Sequence, residues 1–232
     1  MGEQLILNLT KRSAFNREDF FVSTTNKFAI KIMDNWKNSF SSGLIIVGPP
    51  ASGKTHLAAV WSKETSAKSY DISTFFETDF NQLIEENFIV LEDVEKLEFL
   101  SEENRLLIEE NILHIFNNLT EKAGKILFTS SKFPRYWNIG LKDLLSRLMS
   151  LNILELNIPD DNLLAAVMAK QFYDRQIIVE DDVLKYAISR MERSFLFAKK
   201  LVEELDIEAL KMNRPIKKKM VNKIIEKINS KT

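Results

Sequence analysis

The chain has 232 residues, enough for one large domain or for one domain with a smaller companion. Its 32 basic and 33 acidic residues leave a net charge of −1, which excludes a molecule that binds nucleic acid by overall charge alone. With no cysteine and only two histidines, disulfides, thiolate metal sites and His-rich metal sites are excluded as well.

No apolar run approaches the ~18 residues of a membrane span. Met1 to Asn8 lacks a basic segment followed by an apolar stretch, so no signal peptide is expected. These features predict a soluble, cytoplasmic protein with no membrane partner. No internal repeat or low-complexity tract is evident.

The first 14 residues do not read as a core element. Gln4-Leu5-Ile6-Leu7-Asn8-Leu9 is a short apolar run at a terminus. A glutamine followed by spaced leucines resembles the peptide that replication proteins insert into the bacterial sliding clamp; the alternative is an N-terminal strand or arm covering the domain. Phe20-Phe21-Val22 follows, a candidate wall for a nucleotide base. One amphipathic helix is predicted over Asn26 to Phe40, with Phe28, Ile32 and Trp36 at helical spacing and Ala29 and Met33 beside them.

The centre of the reading is residues 48 to 55, Gly48-Pro49-Pro50-Ala51-Ser52-Gly53-Lys54-Thr55, which fit the phosphate-binding pattern G-x-x-x-x-G-K-[ST]. An apolar run, Leu44 to Val47, leads in, and a helix-compatible stretch, His56 to Trp61, leads out. Strand, glycine loop and helix are the context this pattern requires. Glycines let successive N–H groups point at one anion. The helix starting near Gly53 adds the positive end of its dipole. Lys54 is expected to reach the outer phosphates and the Thr55 hydroxyl to ligate Mg²⁺.

Tyr70-Asp71-Ile72 reads as a weak strand, and Thr74 to Glu86 as partly helical. Phe88-Ile89-Val90-Leu91 is then a buried strand whose end carries Glu92 and Asp93. Acids at the carboxyl end of such a strand lie where ligands bind in open α/β sheets. One is expected to hold Mg²⁺, here Glu92, and the next, Asp93, to orient the attacking water. The usual first acid is Asp. The longer glutamate predicts slow turnover or dependence on a partner.

A long helix is predicted over Ser101 to Ala123, with Ser101 as N-cap, Gly124 as terminator, and Leu106, Ile108, Ile112, Ile115, Phe116 and Leu119 facing the core. His114 is assigned to its packing or surface. Lys125 to Ser131 is the next buried strand, and its hydroxyls Ser130 and Ser131 are both candidates to contact a terminal phosphate or the attacking water. Phe133-Pro134-Arg135-Tyr136-Trp137 is either a packed loop or a surface for stacking bases. Leu141 to Leu148 forms a short helix with Arg147 on an otherwise apolar turn; this is a surface ion-pair residue or an arginine finger for a neighbouring nucleotide. Ile153 to Leu156 supplies the last strand.

Ile158-Pro159-Asp160-Asp161 marks a boundary. Four helices follow, over 161–175, 180–191, 194–211 and roughly 216–229, with start signals at Asp160 or Asp161, Glu180 or Asp181, Ser194 and Pro215. Arg193, ahead of the third, is a candidate phosphate contact. The stretch from Arg214 to Thr232 holds seven cations (Arg214, Lys217, Lys218, Lys219, Lys223, Lys227, Lys231) against Glu226, a basic face that either is solvated or touches DNA phosphates.

Together these motifs resemble AAA+ ATPases, and more finely the DnaA branch. Gly53-Lys54-Thr55-His56-Leu57 resembles the phosphate loop and following helix of that branch, and Phe21-Val22 with Asn26 and Ala29 its base-binding entry. With the Gln4 peptide added, the pattern is similar to the Hda group, the regulatory inactivators of DnaA. The resemblance implies an α/β P-loop NTPase (AAA+) parallel-sheet domain, residues 15–158, between a clamp-binding arm, 1–14, and a small all-helical lid domain, 159–232. It implies ADP or ATP with Mg²⁺ held by Phe21, Val22, Gly48, Pro50, Ala51, Ser52, Gly53, Lys54, Thr55, His56 and Arg193. Arg147 is implied as a finger acting in trans, Arg193 as a second sensor, and Ser130 or Ser131 as the first. The partners implied are the DnaA initiator, the polymerase III sliding clamp through Gln4, Leu5, Leu7 and Leu9, and a second copy as a homodimer, with direct DNA binding weak or none. The function implied is negative regulation of replication initiation by promoting hydrolysis of DnaA-bound ATP, with weak hydrolysis of its own. The alternative is a DNA-binding loader-type AAA+ protein using its basic C-terminal helix.

Overall fold

The computed structural model of the chain describes residues 26–40 and 42–230. Gln4, Leu5, Leu7, Leu9, Phe21 and Val22 of the expected clamp and base contacts lie outside the described residues. The chain divides into two compact units, with a boundary along the chain between Asn157 and Ile158.

The first unit begins with two short helices, α1 (Lys27–Asp34) and α2 (Trp36–Ser39), where the sequence predicted one. Asn35 leaves the helical conformation between them (φ −108°, ψ 30°) and restarts the register. The buried face is therefore Ala29, Ile30, Met33 and Trp36, while Phe28 is 69% exposed and Ile32 only half-buried. The expected Phe28–Ile32–Trp36 stripe is corrected for that reason.

The rest of this unit alternates strand and helix. In chain order it comprises β1 (Gly43–Val47), α3 (Lys54–Thr65), β2 (Lys68–Asp71), α4 (Phe80–Glu85), β3 (Phe88–Glu92), α5 (Glu102–Glu121), β4 (Lys125–Ser130), α6 (Lys142–Ser150) and β5 (Asn152–Glu155). Tight 3₁₀ turns occupy 72–77, 94–99 and 134–136. Ile72, expected at the end of a strand, opens the first of these turns, with the Asp71 carboxylate capping it.

The five strands form one parallel sheet in the order β2-β3-β4-β1-β5. The central strands β1 and β4 are buried throughout, as continuous apolar runs in a covered parallel sheet should be. The edge strands β2 and β5 are largely solvated. One face of the sheet, with Ile45, Ile89, Leu91, Ile126 and Phe128, packs on Ile108, Ile112, Ile115 and Leu119 of α5. Leu106 of that helix is 37% exposed instead of buried. Elsewhere Trp36, Trp61 and Phe88 meet edge to face, with ring centroids 5.4–6.0 Å apart.

Ser101 caps α5 through Asn104 N–H, as expected. Its other end differs. Ala123 takes the left-handed conformation (φ 54°) that glycine was expected to supply. Gly124 is required for another reason: a Cβ there would lie 2.4 Å from the Asn87 carbonyl oxygen.

The second unit is all helical: α7 (Asp161–Asp174), α8 (Asp181–Arg190), α9 (Phe195–Met212) and α10 (Lys218–Asn229). Its core gathers Leu164, Met168, Leu201, Val202, Val221 and Ile225. Asp160 and Ser194 cap α7 and α9 through Leu163 N–H and Phe197 N–H. Glu180 makes no such cap; its carboxylate instead pairs with Lys217. The last helix starts at Lys218, and Ile216 is buried ahead of it, outside any helix. No helix among the described residues is long and apolar enough to cross a membrane.

Candidate nucleotide site

All strands run the same way, so their carboxyl ends share one edge. That edge carries the loop after Val47, Asp71, Glu92 with Asp93, and Ser130. The ladder register sets Val47 beside Ser130 and Asp71 beside Glu92.

The loop is wound tightly over this edge. Gly48 N–H donates to the Ser130 carbonyl at 3.1 Å, and Ser52 N–H to the Pro49 carbonyl at 3.2 Å. Ala51 (φ 58°) and Gly53 (φ 99°) both adopt positive φ, which turns the loop into the first turn of α3. Gly48 is needed for space: a Cβ would lie 2.7 Å from both the Leu156 carbonyl and the Ser52 hydroxyl. Pro50 is exposed at the loop's crest.

Three features fit an anion here. The first N–H groups of α3 have no intrahelical acceptor, and no side chain among the described residues caps that end. The Ser52 hydroxyl is buried without a hydrogen-bond partner among the described residues. Lys54 is buried, and its ammonium donates to the carbonyls of Gly48 at 2.8 Å and Pro49 at 3.0 Å. Burial holds the Lys54 pKa below its ordinary value, against the opposing charges of Glu95 and Asp93. Thr55 and His56 are exposed on the first turn.

The Thr55 hydroxyl acts on the Glu92 carboxylate and favours its charged form, which couples the two groups expected to hold Mg²⁺. Burial is the chief cause of the raised Glu92 pKa, with Asp93 and Asp71 adding to it. Asp93 follows in the left-handed conformation (φ 56°), its N–H donating to the Thr129 hydroxyl at 3.1 Å.

The two strand-tip serines are less free than their sequence position implies. Ser130 is fully buried, and its hydroxyl accepts from Trp137 Nε1 at 2.9 Å and Lys132 N–H at 3.0 Å. Ser131 donates through its N–H, at 3.0 Å, and its hydroxyl to Glu95. The aromatic loop is thus a packed one at Trp137, while Tyr136 is exposed beneath the Arg135 guanidinium.

Sequence reasoning passed over Glu95 and Lys96 here, and the role of Asp71. Glu95 accepts both bonds from Ser131 and acts electrostatically on Lys54. Lys96 joins Asp71 and Asp93 at 2.9 Å each, pairings that raise its pKa far above the ordinary lysine range. The usable signal was short: two acids at a strand tip followed within three residues by Glu95 and Lys96.

Both candidate arginines are paired within their own unit. Arg147 Nε lies 3.2 Å from Asp143 one turn earlier, with the guanidinium 5.9 Å from the Phe116 ring centre. Arg193 Nε lies 3.0 Å from Asp161. Such exposed pairs contribute about 0–1 kcal/mol, so either arginine can be withdrawn at small cost. In the basic tail, Lys217 pairs with Glu180, just before α8, and Lys218, Lys223 and Lys227 pair with Asp182 of α8 and Glu208 and Glu204 of α9.

A five-stranded parallel sheet in this order, with a phosphate loop after β1 and acids after β3, has close structural neighbours. Domain III of the Thermotoga maritima initiator DnaA superposes with a TM-score of 0.73, at 17% identity over 90% of this chain and 95% of that one. A DnaA structure bound to AMPPCP and single-stranded DNA gives 0.70, at 18% identity over 84% and 66%. The fold is that of an AAA+ P-loop domain followed by a small all-helical unit. In sequence, the chromosomal replication initiator DnaA of Buchnera aphidicola is 22% identical over 98% of this chain and 56% of its own length. An uncharacterized Haemophilus influenzae protein is 25% identical over 97% and 99%. The chain spans about half the length of the DnaA relatives it matches. No family model matches it.

Proposed function

We propose that this chain is a nucleotide-bound AAA+ regulator of replication initiation. It holds ADP or ATP on the loop around Lys54, with Thr55 and Glu92 supplying the Mg²⁺ contacts and Arg193 a phosphate contact. It docks on a sliding clamp through Gln4, Leu5, Leu7 and Leu9, and presents Arg147 to ATP bound on a DnaA initiator, promoting hydrolysis there. The observation that carries this reading is Arg147, a partly exposed cation held by a weak ion pair to Asp143 and a contact with the Phe116 ring. Similarity to DnaA over nearly the whole chain supports the choice of partner. The AMPPCP-bound DnaA neighbour supports an adenine nucleotide as ligand.

The test is ATP hydrolysis by DnaA, with clamp loaded on DNA, in the presence and absence of this protein. Arg147→Ala should abolish stimulation and leave nucleotide binding intact; equal stimulation by the variant would remove the finger. Lys54→Ala should lose nucleotide. Gln4→Ala and Leu5→Ala should lose clamp binding.

A second reading, direct binding of single-stranded DNA, is favoured by the DNA-bound DnaA neighbour. The pairing of four tail lysines with acids weighs against it. Salt-sensitive DNA binding that falls on neutralising Lys217, Lys218 and Lys219 would support it.

A further inference from the structure

Asp93 is the strand-tip acid placed to take a proton from water, yet its carboxylate is already engaged. Its backbone is fixed by two features, the left-handed conformation and the N–H bond to Thr129. The chain then enters the 3₁₀ turn 94–99, with Lys96 N–H donating to the Asp93 carbonyl at 2.9 Å. Residues three apart eclipse in such a turn. The Lys96 side chain consequently returns over Asp93, and its ammonium lies 2.9 Å from Asp93 Oδ2.

The same ammonium lies 2.9 Å from Asp71 Oδ2 on the neighbouring strand. Asp71 is itself anchored, because its Oδ1 accepts from the Ser73 N–H at 2.9 Å and from the Ser73 hydroxyl. Asp71 and Glu92 are register partners, so Lys96 bridges the tips of β2 and β3. One oxygen of the Asp93 carboxylate is thereby paired with a cation that is also held by β2.

We propose that Lys96 is an internal brake on nucleotide hydrolysis, holding Asp93 in an ion pair with Asp71 as the second anchor. The proposal rests on the nucleotide-site reading above. In the step it restrains, the water oxygen bonds to the terminal phosphorus while the bridging P–O bond breaks. That electron pair leaves with the diphosphate, and the water's proton passes to Asp93 and on to solvent. Lys96 does not touch the reacting atoms; it acts through Asp93. Its side chain is 39% exposed, so its replacement leaves no buried cavity.

The experiment uses the full chain and ATP, with binding and single-turnover hydrolysis measured separately. Lys96→Met should hydrolyse bound ATP about ten-fold faster than wild type, a fraction of the ~10²–10⁴-fold that a general base supplies. ATP affinity should stay within about two-fold. The gain should vanish in Lys96→Met/Asp93→Asn. A rate for Lys96→Met no higher than wild type, or a gain that persists without Asp93, overturns the brake. A readout independent of turnover comes from the nucleotide-free protein. There the losses in unfolding midpoint from Lys96→Met and Asp93→Asn should be non-additive, and strict additivity would also overturn the proposal. Failure of the wild-type chain to bind ATP at all would show itself separately, overturning the site reading and the brake together.

Discussion

The indole N–H of Trp137 donates to the Ser130 hydroxyl at 2.9 Å, and both side chains are fully buried. The bond ties the loop before α6 to the tip of β4, next to the phosphate loop. The same N–H is shared with the Lys132 carbonyl at 2.8 Å. Trp137→Phe removes this donor from two acceptors and leaves a gap against Phe128. A loss of roughly 2–3 kcal/mol is expected from the cavity and the lost bonds together. Urea unfolding measures it, and a change under half a kcal/mol would contradict the anchoring role.

Glu109 offers a second test. It is fully buried on α5, and its carboxylate accepts from Gly140 N–H at 2.9 and 3.1 Å and from Leu141 N–H at 2.8 Å. Leu141 is the residue before α6, so this carboxylate fixes the start of the helix that carries Arg147. Glu109→Leu strands two backbone donors and should cost about 3–5 kcal/mol. Glu109→Gln retains an acceptor and should cost about 1–2 kcal/mol. Equal stabilities for the two variants would be incompatible with this arrangement.

The two half-buried glutamates near the loop should respond to pH in opposite senses. Burial pushes the Glu95 carboxyl up, but hydrogen bonds from Ser131 and Ser130 outweigh it and hold the pKa below the ordinary value. A depressed carboxyl pKa contributes stability above the unfolded-state pKa, and that contribution is lost as pH falls through the folded value. Glu92 is raised, chiefly by burial, so it costs stability at neutral pH and the cost disappears on acidification. In nucleotide-free protein, Glu95→Gln should therefore lower the urea midpoint at pH ~7, with the difference closing toward pH ~3. Glu92→Gln should raise the midpoint at pH ~7. Shifts of the same sign for both variants would refute the assignment.

Two glycines are held by space rather than by conformation. Gly124→Ala puts a methyl 2.4 Å from the Asn87 carbonyl and should destabilise the protein by at least ~2 kcal/mol. Gly48→Ala meets the Leu156 carbonyl and the Ser52 hydroxyl at 2.7 Å. It should weaken nucleotide binding about ten-fold or more by displacing the loop. Calorimetric titration with ADP checks the second, and unchanged affinity would show that the loop tolerates the added methyl.

The parallel sheet and the loop at 48–55 were legible because their signals are local: continuous apolar strands, a glycine pattern, acids after β3. The helix caps at Ser101, Asp160 and Ser194 were legible for the same reason. The break at Asn35 was not, because the apolar spacing from Phe28 to Trp36 runs straight across it. The roles of Glu95, Lys96 and Asp71 were hidden by tertiary pairing: a 3₁₀ turn after a left-handed residue reverses side chains onto a neighbouring strand. The tail lysines read as a basic face because the acids opposing them lie far away in sequence, at the start of α8 and on α9.

All three tryptophans, Trp36, Trp61 and Trp137, are buried in the sheet unit, and the helical unit after Ile158 has none. Intrinsic fluorescence consequently reports on one unit alone, whereas circular dichroism at 222 nm sums helices from both. Coincident denaturation curves from the two signals would mean that the units unfold as one cooperative body. A dichroism transition preceding the fluorescence change would assign the first melting event to α7–α10. Trp61 also lies on α3, two turns beyond Lys54, so its emission doubles as an optical probe of whatever anion the loop captures.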